Sequence, residues 1–240
     1  MTVLLLLLMG AMAVAAAVGV GAGPAPLVGP DTSHYQGEVD WTKMVRETNT
    51  TYAFAKASEG VRFVDPFFTA NWHGMRRAGI RVRGAYHFGR PAEGPAGPQA
   101  DNFLAAVAAA GGFRSGDFAV LDIEDADRAA GPEAFVAWCA AWVDAVRTKS
   151  GLPSRRVVLY TGAWFWNPAA DGHWDALSTQ PLWVSSYRGP AATRPLMPKG
   201  WTGYTFWQFT DSGSIAGVSG PVDLSRFEGT LEELERLFAR

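Results

Sequence analysis

Cys139 is the only cysteine in this chain of 240 residues, so no intramolecular disulfide braces the fold and the hydrophobic core must hold it. Histidine is scarce too. His34, His73, His87 and His173 show no His-Glu-x-x-His or His-x-His spacing, which leaves zinc ligation without support, and no metal or cofactor is expected. Charge of either sign is absent before Asp31, and beyond it 21 Lys plus Arg stand against 23 Asp plus Glu. A slightly acidic domain without a clustered basic surface is a poor partner for nucleic acid. No cysteine follows the opening apolar run, which excludes a lipoprotein anchor. Cys139 itself, between Trp138 and Trp142 in an Ala-rich stretch, reads as a buried small hydrophobe rather than a nucleophile.

What the chain has in quantity is apolar sequence of two kinds. Thr2 to Val20 is almost wholly apolar and runs into Gly21-Ala22-Gly23-Pro24-Ala25-Pro26, so residues 1–26 read as an export segment and linker ahead of a domain over 27–240. Cleavage after a small-x-small site between Ala15 and Ala25 is expected. The alternative is an uncleaved membrane tether through residues 3–20, which has no Lys or Arg before its Leu run and is near the lower length limit for crossing a bilayer. Either outcome places the domain outside the membrane, secreted or associated with the cell wall. After this segment apolar runs and breakers alternate. Strands are expected at 27–33, 52–58, 81–88, 118–124, 156–161, 182–187, 204–209 and 222–227. Helices are expected at 41–48, 66–78, 99–110, 132–150 and 231–238, with Pro66 and Pro132 suited to a first helical turn. The linkers at 189–200 and 210–220 read as loops. Eight strands with early helical crossovers make an α/β fold, a TIM-like (β/α)-barrel with reduced or missing helices in its C-terminal part.

Leu121-Asp122-Ile123-Glu124 carries the chemistry. Side chains two apart on a strand leave the same face, with backbone positions roughly 6 to 7 Å apart, so both carboxylates project into one space. Such a pair can work as a glycosidase does, one acid protonating the leaving oxygen while its ionised neighbour stabilises charge at the sugar carbon. The plainer reading is a strand running into a solvated turn, a description that fits Asp125 and Asp127. Other polar residues favour the first reading, because Asp31, Glu59, Tyr86, His87, Tyr160, Tyr187, Gln208 and Asp223 also fall at or near expected strand ends, where barrels of this kind place their sites. Acids and aromatics at one rim suit a sugar. Of the ten Trp, 41, 72, 138 and 142 lie on expected helices and read as packing, while Trp183 and Trp207 divide evenly between core and subsite roles.

In this order the residues resemble glycoside hydrolase family 25, the Chalaropsis-type lysozymes. Asp31-Thr32-Ser33-His34-Tyr35-Gln36-Gly37 with Val39-Asp40-Trp41 resembles its opening segment. Phe54-Ala55-Lys56-Ala57-Ser58-Glu59-Gly60, Gly84-Ala85-Tyr86-His87-Phe88, Asp122-Ile123-Glu124, Trp183-Val184-Ser185-Ser186-Tyr187, Trp207-Gln208-Phe209 and Val222-Asp223-Leu224 follow in the family's sequence. Ser185, Ser225 and Tyr160-Thr161-Gly162 are mild departures, and none removes an acid. The resemblance implies hydrolysis of the β-1,4 bond between N-acetylmuramic acid and N-acetylglucosamine, with peptidoglycan glycan strands as partner. A monomer is expected, although the sequence leaves the oligomeric state open. It makes Glu124 the general acid and base, Asp122 its assisting carboxylate, and Asp31 and Asp223 the remaining catalytic acids. Tyr86, His87, Tyr160, Trp183, Tyr187, Trp207 and Gln208 are expected to bind substrate. An ionised Asp122 can orient the substrate's own acetamido group for attack on the anomeric carbon. Direct attack by an aspartate and inversion through an activated water stay open. So does a glycan-binding protein that keeps the barrel without turnover. A chitinase-like enzyme is less favoured, because the signature Asp-x-x-Asp-x-Asp-x-Glu aligned on Glu124 finds Asp117 and Asp122 but Val120 where an acid is needed.

Overall fold

The computed structural model describes residues 25–126, 130–189 and 191–239. The export segment expected at the N-terminus, all but its last two residues, and the Asp127 of the expected turn lie outside the described residues. Eight strands close a barrel: β1 (Leu27–Thr32), β2 (Tyr52–Glu59), β4 (Val82–Phe88), β5 (Asp117–Asp122), β6 (Val157–Gly162), β7 (Leu182–Ser185), β8 (Phe206–Gly213) and β9 (Val222–Phe227). The two-residue β3 (Phe63–Val64) pairs with the end of β2 outside the ring. Neighbours from β1 through β8 are parallel, whereas β9 is antiparallel to both β8 and β1, so the barrel is mixed. Helices α1 (Trp41–Thr48), α2 (Phe68–Arg77), α3 (Ala96–Ala109) and α4 (Pro132–Ser150) cross between the early strands. A short α5 (Ala163–Ala170) follows β6, and among the described residues no α-helix joins β7 to β8 or β8 to β9.

Alternation along the strands sorts side chains into two cores. Tyr52, Phe54, Val82, Phe118, Val120, Val158, Trp183 and Phe206 point inward and fill the barrel. Ala53, Ala55, Ala85, Ala119, Leu121, Leu159 and Val184 point outward under the helices. The barrel floor is plugged by α6 (Leu231–Phe238), whose Phe238 stacks on Phe118 at 4.2 Å between ring centroids. Thr230 and Glu233 cap that helix reciprocally. Within the barrel Gly84 takes an inward position where a Cβ would stand 2.5 Å from the Phe54 ring and 2.8 Å from Phe118. Its lack of a side chain admits the edge-to-face pair of those rings, with centroids 5.7 Å apart. Gly84→Ala is expected to cost about 1–3 kcal/mol by overpacking, read as a lower urea midpoint at unchanged m.

Candidate active site

The end of the barrel at which the parallel strands finish opens into a groove lined by acids and aromatic side chains. The antiparallel course of β9 explains how Asp223 reaches it: that residue lies near the start of its strand and pairs in register with Asp31, near the end of β1. A fully parallel eighth strand would have sent Asp223 to the opposite end. Asp122 closes β5, and Ile123 continues the extended chain by donating its N–H to Tyr160 O at 3.0 Å. Ile123 turns outward into the helix-covered core, which leaves Asp122 and Glu124 on the groove side.

Gln208 ties the far wall together. Its Oε1 accepts the hydroxyls of Tyr160 at 2.6 Å and Tyr187, and its Nε2 donates to Asp31 Oδ2 at 2.9 Å and Asp223 Oδ2 at 3.1 Å. On the near wall Lys56, buried at an inward position of β2, donates to Glu59 at 2.5 Å, and Arg90 bridges Glu59 at 2.6 Å to Asp125 at 3.0 Å. Asp125 is therefore half of an ion pair rather than a free turn acid. Asp122 Oδ1 is buried and has no hydrogen-bond partner among the described residues, which is a costly state for a carboxylate oxygen.

Burial first, and then the charge of neighbouring acids, raises the proton affinity of Asp31, Asp122, Glu124 and Asp223. Burial, then the charge of Asp223, pushes Glu124 up to about 7. Burial, then Asp211, pushes Asp223 up to about 6. Burial, then Asp223, holds Asp31 well above the usual carboxylate range despite the hydrogen bond from Gln208. Asp122 is raised by burial and then by Glu124, with the Lys56 ammonium opposing. The Asp122 and Glu124 carboxyls thus retain protons to unusually high pH, and Lys56 is the cation that favours charge on Asp122. Glu59 is the contrast: burial raises it, but hydrogen bonds from Lys56 and Arg90 win and keep it lowered and ionised.

A match to the model of glycosyl hydrolases family 25 spans residues 30–218. Lysozyme M1 of Streptomyces globisporus is 34% identical over 218 residues, covering 86% of this chain and 69% of that protein. The N,O-diacetylmuramidase of Chalaropsis sp. is 28% identical over 221 residues, covering 87% and 97%. The crystal structure of the bacterial lysozyme from Streptomyces coelicolor superposes with a TM-score of 0.79 at 32% identity, covering 89% of this chain and 97% of that one. The chain belongs to glycosyl hydrolases family 25. It is a glycoside hydrolase on a mixed α/β barrel.

Within this family 25 barrel Asp31, Asp122, Glu124, Asp223, Tyr86, Tyr160, Trp183 and Gln208 all border the groove. Trp183 forms floor rather than a platform, stacked on Phe54 at 3.8 Å and donating its indole N–H to Ser225 Oγ at 2.8 Å. Tyr187 is 49% exposed and joins through Gln208. Two expected groove residues face away, and those expectations are corrected. His87 follows the inward Tyr86 and so points out beneath α3 and α4, bonded to Ser58 Oγ at 2.8 Å and stacked on Trp142. Burial first, against the hydrogen bond to Gln99 Oε1, lowers its pKa to about 4 and keeps it neutral. Trp207 precedes the inward Gln208 and points out, donating to Ser186 O at 2.8 Å under the Arg226 guanidinium. Lys56 and Arg90 were absent from the expected set, although a charged residue at the inward parity of Tyr52 and Phe54 was a readable signal for Lys56. Among the described residues no group of three or more His, Cys, Asp or Glu is placed to hold a metal ion, and no helix is long and apolar enough to cross a membrane.

Proposed function

We propose that this hydrolase is a muramidase that cleaves the β-1,4 bond between N-acetylmuramic acid and N-acetylglucosamine in peptidoglycan, acting outside the cell. Asp122 Oδ1 is the observation that carries the mechanism. A buried, unpartnered carboxylate oxygen beside a second acid is where a substrate acetamido N–H finds its acceptor. Donation of that N–H stabilises the Asp122 anion, with Lys56 in support, and leaves the proton of the pair on Glu124. Glu124 then protonates the glycosidic oxygen as the bond to the anomeric carbon breaks, and the acetamido oxygen attacks that carbon. The resulting oxazolinium ring is opened by a water that gives its proton back to Glu124, so configuration is retained and no enzyme ester forms. Asp223, raised only to about 6 and held with Asp31 by Gln208, supplies negative potential near the developing positive charge.

The reading is tested by digesting purified peptidoglycan and analysing the reducing ends. Reducing N-acetylmuramic acid is expected, and reducing N-acetylglucosamine would rule the reading out. Because the acid must be protonated, turnover is expected to fall as pH rises through about 7. A rate that stays flat from pH 6 to pH 9 would remove Glu124 as the acid.

A further inference from the structure

Three aromatic rings stand together at one lip of the groove. Tyr35 is 82% exposed and Phe63 is 42% exposed, with the partly buried His34 between them. Ring centroids lie 4.2 Å apart from Tyr35 to His34 and 5.6 Å apart from His34 to Phe63, so the rings make one ridge rather than scattered surface residues. Tyr35 borders the groove together with Asp31 and Asp122. It also borders an adjoining open hollow, whose walls include His34, Glu59, Arg62, Phe63 and Glu93. Because Tyr35 and Glu59 face both spaces, the hollow continues the groove outward along the ridge.

Polar ties hold these exposed rings in place. The buried Asp65 accepts the His34 backbone N–H on Oδ2 at 2.9 Å, and the same oxygen is hydrogen-bonded to His34 Nδ1 at 2.8 Å. Its Oδ1 accepts the Phe67 N–H at 2.9 Å, which anchors the carboxylate at the start of α2. Ser33 and Gln36 cap each other across the single turn that carries Tyr35. From α3, Asn102 Nδ2 donates to the carbonyls of Gly60 at 3.1 Å and Phe63 at 3.0 Å and pins the β2–β3 hairpin. Rings fixed in this way lose little freedom when a ligand packs on them. The charges of the hollow favour a neutral ligand. Glu59 is already paired with Lys56 and Arg90, which leaves Glu93 against Arg62 and no positive excess to draw an acidic peptide.

We propose that the ridge of Tyr35, His34 and Phe63 is a distal subsite, where the apolar face of a 2-acetamido sugar packs beyond the pair of sugars that flank the scissile bond. The proposal rests on the muramidase reading, which supplies the glycan strand. Binding is read first, by calorimetry of peptide-free glycan strands on the full chain carrying Glu124→Gln, so that no turnover intervenes. Adding Tyr35→Ala or Phe63→Ala is expected to weaken Kd about fivefold, and Tyr35→Phe to keep it within about twofold of the parent. Both rings are exposed, so neither alanine should unfold the chain. An unchanged Kd in both alanine variants would overturn the subsite. With Glu124 in place, the same alanines should raise KM about fivefold on long strands, with kcat within about twofold and little change on the shortest fragments still cleaved. Equal losses on short and long strands would put the rings at the scissile bond and overturn a distal subsite, as would an effect confined to peptide-bearing peptidoglycan. Weaker strand binding in Tyr35→Ala, beside a wild-type chain that releases no reducing N-acetylmuramic acid, would uphold the ridge and sink the muramidase reading.

Discussion

Glu124→Gln is expected to end turnover and to stabilise the fold at alkaline pH in the same stroke. Loss of the proton donor costs about 10²- to 10⁴-fold in rate. The stability effect comes from burial, which lifts Glu124 from 4.5 to about 7. A group whose pKa is raised on folding contributes stability that is fully present below its unfolded value and is lost as pH rises through the folded one. At pH 8 the wild-type groove therefore holds a charge it disfavours, while glutamine holds none. With the partial exposure of Glu124 to solvent allowed for, the difference is on the order of 2 kcal/mol. For a domain of this size that is roughly 4–8 °C in Tm. The gap should close near pH 4, where the wild-type carboxyl is neutral in both states. Calorimetry of both proteins at pH 4 and pH 8 reads it, and a gap that widened toward pH 4 would contradict the assignment.

The same logic explains why the groove tolerates four acids at all. Among the described residues, Asp31 and Asp223 share one donor amide, Asp122 is acted on by the Lys56 cation, and Glu124 has no hydrogen-bonding base beside it. The site is under-neutralised, and substrate supplies what is missing through its acetamido N–H and its developing positive charge. Binding energy is then concentrated on the reacting centre rather than on the resting groove.

Much of this was legible in the sequence, because strand alternation and strand-end chemistry are local. The placing of Asp122 and Glu124 on one side, the packing role of Trp41, Trp72 and Trp142, and the thinning of crossover helices in the C-terminal part all follow from spacing and breakers. The errors had two physical sources. His87 and Trp207 were taken with their neighbours Tyr86 and Gln208, although adjacent strand residues must face opposite sides. The direction of β9 was invisible for a different reason: it depends on β8 extending to Gly213 and returning as a hairpin, which a stretch of Thr, Asp, Ser and Gly gives no hydrophobic signal for.

Asp117→Ala should do the opposite of Glu124→Gln, removing stability and leaving the chemistry alone. Asp117 opens β5 and is fully buried at the floor end of the barrel. Its Oδ1 accepts from Arg83 Nε at 2.6 Å, and its Oδ2 accepts from Arg76 at 2.8 Å and from the Arg114 backbone N–H at 2.7 Å. Arg156 bonds its carbonyl oxygen. Burial already lowers the pKa of Arg83, with Asp117 opposing, so the alanine variant leaves a buried guanidinium without its counter-ion. Breaking such a pair costs about 3–5 kcal/mol, or some 10 °C in Tm. Asp117 and Asp122 lie at opposite ends of one strand, roughly 16 Å apart at the strand rise of about 3.3 Å per residue, so the folded variant should keep its rate on peptidoglycan. Urea unfolding and turnover measured on the same preparation decide it: lost activity at unchanged stability would put Asp117 back in the chemistry, and a lower urea midpoint at unchanged rate would assign it to the barrel floor.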